Sequence, residues 1–107
     1  MKITIISSDG AVYKDGYSYS GLNLSFIPAD IHALQFNDAT NKGWIEFKDD
    51  EFGNKPGNQL ITVLPVWVND CLAKWDEAET ARLAAEEAEA AALAARIAIQ
   101  NQSTTQS

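Results

Sequence analysis

The stretch Ala78-Glu79-Thr80-Ala81-Arg82-Leu83-Ala84-Ala85-Glu86-Glu87-Ala88-Glu89-Ala90-Ala91-Ala92-Leu93-Ala94-Ala95-Arg96-Ile97-Ala98-Ile99-Gln100 decides the fold. Ala loses no side-chain entropy in a helix, and Glu, Leu and Arg lose little, so the composition is strongly helical. Going back toward the N-terminus there is no Gly and no further Pro until Pro65. Its missing N–H and fixed φ suit a first helical turn. The reading is one helix over 65–101, roughly 50 Å long at 1.5 Å per residue, and then a polar tail, 102–107, expected to fray. The residues before it, folded compactly, span only about 25 Å. Much of such a helix is expected to project into water or to lie against another chain.

The helix reads as two halves. In the first, Val68, Leu72 and Trp75 share a face at helical spacing, with Trp67 and Cys71 beside it. This is a core-facing stripe, expected to pack on a sheet. In the second half two stripes compete. The larger side chains, Leu83, Ala90, Leu93 and Ile97, lie on a face interrupted by Glu79 and Glu86, which sit badly in a dry interface. Ala78, Ala81, Ala85, Ala88, Ala92, Ala95 and Ile99 instead alternate three-four spacing without a charged member. That is the a/d rhythm of a coiled coil in small residues. At about 25 cal/mol per Å² an alanine seam gives less association energy than a leucine one. The seam therefore predicts self-association through the helix, against the alternative of an Ala/Glu helix standing alone in solvent.

Residues 1–64 read as a small β domain. Lys2 to Ser7 is a short β-branched strand, Asp9-Gly10 a turn, and Ala11-Val12-Tyr13-Lys14 a second strand. Asp15-Gly16 then turns into Tyr17-Ser18-Tyr19-Ser20. Tight turns at this spacing predict a β-meander. Leu22-Asn23-Leu24-Ser25-Phe26 alternates apolar and polar, the pattern of one buried and one wet strand face. After the break at Pro28, Ile31 to Phe36 and Trp44 to Lys48 form an expected hairpin, with Trp44 paired to Leu34 or Phe36 across the strands. Asp49 to Asn58 is loop by composition. Gln59 to Leu64 is a last short strand or an extended lead-in. The expected class is α+β: a small antiparallel β-meander domain followed by one long C-terminal α-helix.

The 107 residues carry 15 acids and 8 Lys plus Arg, a formal net charge of −7, with a pI of about 4.4. This opposes binding to nucleic acid or to anionic lipid, both of which need cations. It favours a basic partner surface. No segment approaches the ~20 apolar residues of a membrane span, and the start is too soon polar for a signal peptide. The single cysteine makes no intrachain disulfide, in keeping with synthesis in a reducing cytoplasm.

Tests for chemistry point away from an enzyme. A thiol nucleophile needs Cys71 next to a base, and His32 is the only histidine. One His and one Cys make no zinc site without two carboxylates. The acidic loop at Asp49-Asp50-Glu51 lacks the alternating ligand spacing of a calcium loop. Asp30, Glu46 and Asp70 each have a structural explanation, and no cofactor-binding motif is present. Tyr13, Tyr17 and Tyr19 cluster in sequence, and tyrosines on a sheet face can anchor a partner; they can equally complete a small core.

Several strings resemble small tail-region proteins of tailed bacteriophages, of the tail-fibre-associated or fibre-assembly type. They are Met1 to Ile5, Asp9 to Gly16, Ile27 to Phe36, Trp44 to Phe47, and Val66-Trp67-Val68-Asn69 through Trp75. The resemblance covers about residues 1–75 and implies no catalytic residues. It implies a virion structural or adaptor protein of the tail or tail fibre, made in the host cytoplasm and contacting other tail or fibre proteins. The alternative is a tail-fibre assembly chaperone not retained in the virion. A thiol-dependent hydrolase and an inhibitor of a host protein are the remaining rivals.

Overall fold

The computed structural model describes residues 1–105, with side chains for 1–100. The fold is α+β, a six-stranded antiparallel sheet followed by one long C-terminal helix. The strands are β1 (Lys2–Ile6), β2 (Ala11–Lys14), β3 (Tyr17–Tyr19), β4 (Ile31–Asn37), β5 (Lys42–Phe47) and β6 (Gln59–Ile61); the helix is α1 (Trp67–Thr105). The chain divides into two compact units, Met1–Asp76 and Glu77–Ser107. The first ten residues of α1 belong to the first unit. The helix is unbroken at Ala84 and is assigned to Thr105, past the expected end at 101. The last two residues of the expected polar tail lie outside the described residues.

In the first unit the strand order is β3-β2-β1-β4-β5-β6, so two three-stranded meanders join where β4 pairs with β1. The β2–β3 hairpin closes through Asp15 and Gly16, at φ 52° and 84°. Two successive positive φ values are what a two-residue hairpin turn with the right twist requires. Gly10, at φ 57°, is fixed by space as well, since a Cβ there would run into the Leu22 carbonyl.

Residues 20–30 carry the chain from the edge strand β3 to the central strand β4. Leu22 to Phe26, which alternates like a strand, is part of this crossover and joins no strand; Leu22 N–H donates to the Gly10 carbonyl at 3.0 Å. Ser25 N–H donates to the Asn23 side chain at 3.2 Å, and Ile27 N–H donates to the Leu24 carbonyl at 3.1 Å. These local bonds satisfy the backbone in place of a ladder. The apolar residues of the segment still do what alternation foretells, because Leu24 is buried in the core and Leu22 and Phe26 pack against it.

Register places the two faces of the sheet. Ile5 lies opposite both Val12 and Leu34, and Leu34 opposite Ile45. Direct cross-strand partners share a face. These residues, with Ile3 and Phe36, make the face covered by Val68, Cys71 and Trp75 of α1 and by the crossover. The covering stripe is centred on Cys71, which is fully buried, while Leu72 and Trp67 pack at its margin. Trp44 corrects an expectation. It pairs with Gln35, not with Leu34 or Phe36, and so belongs to the opposite face. A one-residue change of register moves every side chain across the sheet, and the turn between Asn37 and Lys42 fixes that register.

At the start of α1 the Pro65 carbonyl accepts from Val68 N–H at 3.1 Å and the Val66 carbonyl from Asn69 N–H at 3.2 Å. These tighten the entry turn. Asp70 sits in the first turn, where the helix dipole favours an acid.

Candidate functional site

The second unit contains the alanine seam. Ala78 is half-buried; Ala81, Ala85, Ala88, Ala92, Ala95 and Ile99 are exposed. The larger residues Leu83, Leu93 and Ile97 are exposed too. Arg82 lies between Glu79 and Glu86, bonded to the first and 2.8 Å from the second. Pairs at three and four residues support a helix by about 0.2–0.5 kcal/mol each. They also neutralise part of the charge that interrupts the Leu83–Ile97 stripe.

The tyrosine trio is divided by the sheet. Tyr17 and Tyr19 lie on the helix-covered face, their ring centroids 4.9 Å apart. Tyr19 meets Trp75 edge-on at 5.7 Å. Trp75 Nε1–H donates to the Tyr17 carbonyl at 3.1 Å, and Lys14 Nζ lies 4.8 Å over the Trp75 ring and 3.4 Å from Asp76. Tyr19 finishes the core around Trp75, while Tyr17 stays exposed at its rim. Tyr13 points to the other face, because it pairs with Thr4 and not with Ile3 or Ile5.

That other face was missed in the sequence, although its signal was there. Lys2, Thr4, Gln35 and Trp44 alternate with buried residues on their strands, and Leu60 lies beside Trp44 on β6. In register, Tyr13, Thr4, Gln35, Trp44 and Leu60 form one row across five strands, from β2 to β6. Lys2, Asn37 and Lys42 form the next row. Together they line an open trough of about 410 Å³ with no carboxylate among its lining residues. Thr4 Oγ1–H donates to Gln35 Oε1 at 3.3 Å, which leaves the Gln35 amide nitrogen without a partner among the described residues. Trp44 Nε1–H donates to Glu46 at 3.2 Å. Leu60 is 83% exposed.

Cys71 and His32 occupy unrelated settings. Burial, with Asp70 adding to it, pushes the Cys71 thiol up to about 12, against a backbone hydrogen bond that lowers it. A thiol held protonated at neutral pH is no nucleophile. His32 is half-buried at the irregularity between Ile31 and Ala33. It faces a hollow with Phe47, Lys48, Asp49 and Lys55. In the acidic loop Asp50 Oδ1 accepts from Phe52 and Asn54 N–H, both at 2.9 Å, so this carboxylate organises its own turn. Among the described residues no cluster of three or more His, Cys, Asp or Glu is placed to hold a metal ion, and no helix is long and apolar enough to cross a membrane.

Against models of protein families, curated proteins and solved structures, the chain gives no match. What the arrangement itself offers is contact surface. It has a trough on the sheet with aromatic walls and cationic groups, and a helix segment whose apolar residues are exposed.

Proposed function

We propose that this protein is a structural or adaptor component of the tail or tail-fibre region of a bacteriophage, acting by protein–protein contacts and self-associating through its C-terminal helix. The observation that carries the contact role is the exposure of the seam from Ala81 to Ile99 together with Leu83, Leu93 and Ile97. Helix residues with apolar side chains on two faces gain from burial at about 25 cal/mol per Å², and small residues let helices approach closely. The individual contacts are weak, and several copies acting together strengthen them by multivalency. The tail-region assignment draws on the resemblance of residues 1–75, and the acidic chain suits a basic docking surface among tail or fibre proteins. The buried thiol of Cys71 weakens the case for a thiol hydrolase.

Two experiments test this reading. Sedimentation of the full chain and of Ala85→Lys/Ala92→Lys measures self-association; an unchanged mass in the variant rejects the seam. Mass spectrometry of purified particles tests the tail role. Recovery at defined stoichiometry supports a virion component, and presence only in infected lysate supports an assembly chaperone instead.

A further inference from the structure

Two of the surfaces that the described residues leave uncovered match in chemistry. The first is the open face of the sheet. Tyr13 and Trp44 stand three strand spacings apart, about 14 Å, with Thr4 and Gln35 low between them. An α-helix with its side chains is about 10–12 Å across, which fits between those walls. In the next row Lys2 and Lys42 flank Asn37, two strand spacings or about 10 Å apart. Neither lysine has an ion pair among the described residues, and no acid lines the trough, in a chain whose net charge is −7.

The second surface is the helix stripe of Leu83, Ala90, Leu93 and Ile97. With 3.6 residues per turn, Glu87 and Glu89 fall on opposite flanks of this stripe at nearly the same height. Both are exposed, and neither has an ion pair among the described residues. Ala90, between them, is small enough for close approach. Glu79 and Glu86, the residues that interrupt the stripe, are both bonded to Arg82.

We infer that the open sheet face of one copy receives residues 83–97 of α1 from a second copy, with Glu87 and Glu89 against Lys2 and Lys42. With the helix lying along the strands between these walls, Leu93, about 8 Å along the axis from the level of Glu87 and Glu89, reaches the row of Tyr13 and Trp44, about 7 Å from the lysines. The stripe lies well round the helix from the alanine seam, so one helix serves both contacts. The contact is heterologous, because a sheet face meets a helix face. Repetition of such a contact generates a closed ring or a filament. The inference shares with the proposed function the use of α1 for self-association, and goes beyond it in naming what covers the sheet.

Carbodiimide cross-linking of an equal mixture of 14N- and 15N-labelled full chains tests the occupant. The expected products join Lys2 or Lys42 to Glu87 or Glu89 in peptides of mixed isotope. Links confined to one isotope, or no links between these residues, overturn the inference. Lys2→Glu/Lys42→Glu is expected to weaken self-association about tenfold, as reversal of two close charge pairs does. Adding Glu87→Lys/Glu89→Lys to the same chain is expected to restore it. Unchanged affinity in the first variant, or no restoration in the second, overturns the contact. In Ala85→Lys/Ala92→Lys, persistence of the mixed links upholds the sheet-face contact even where the seam itself has failed.

Discussion

Residues 67–76 and residues 77–100 belong to the same helix but are held in it by different forces. In the first stretch Val68, Cys71 and Trp75 are buried against the sheet. Its helicity is a by-product of tertiary packing, and its mixed composition of Trp, Val, Asn, Asp and Cys is a poor helix former by itself. In the second stretch hardly a side chain is buried. There the helix rests on alanine propensity and on the Glu79–Arg82–Glu86 pairs. A helix can thus be specified by what it covers or by what it is made of, and this chain uses both ways in succession.

That contrast breaks if core and helix respond alike to truncation. Leu34→Ala removes a fully buried side chain at the centre of the sheet and is expected to cost about 2–5 kcal/mol in urea unfolding followed by tryptophan fluorescence. Leu93→Ala is expected to leave that transition within about 0.5 kcal/mol of the parent, and a comparable loss in both would erase the distinction.

The pH dependence sharpens the first region. The Cys71 pKa is raised from 9.0 to about 12 in the folded chain, so its contribution is fully present below pH 9. Above pH 9 the unfolded state releases a proton that the folded state keeps. Stability is then expected to fall by up to about 1.4 kcal/mol per pH unit until pH 12. Cys71→Ala should remove that part of the slope in denaturant titrations between pH 8 and 10.5, and an identical slope in the variant would remove Cys71 as its cause.

Smaller effects probe the second region. Ala85→Gly is expected to cost about 1 kcal/mol of local helix stability, seen as faster amide exchange around residue 85 with the sheet amides unchanged. Equal acceleration in both places would mean that the two regions unfold together. Arg82→Ala removes two ion pairs and is expected to cost about 0.5 kcal/mol, as a slight loss of helical circular dichroism that shrinks with added salt. A salt-independent loss would point to propensity and not to charge.

Much of the fold was legible locally. The hairpin at Asp15-Gly16, the strands around Ile5, Leu34 and Ile45, and the long helix all follow from side-chain period and composition. The interaction surfaces were legible in part. The alanine seam could be written down from spacing. The trough of Thr4, Gln35, Trp44 and Leu60 depended on knowing that β4 pairs with β1. Tyr13 parts from Tyr17 and Tyr19 because the hairpin register pairs it with Ser18.

By itself the sequence determined the elements whose causes lie within a few residues: helix propensity, turn glycines and the alternation of buried with wet positions. Tertiary structure alone decided that Leu22 to Phe26 would join no strand, that Trp44 would face away from Leu34, and that Cys71 would become the centre of the helix-to-sheet contact. Strand order and register depend on partners up to 35 residues away in the chain, as Lys2 and Asn37 are. A shift of one residue there exchanges the faces without altering any local preference.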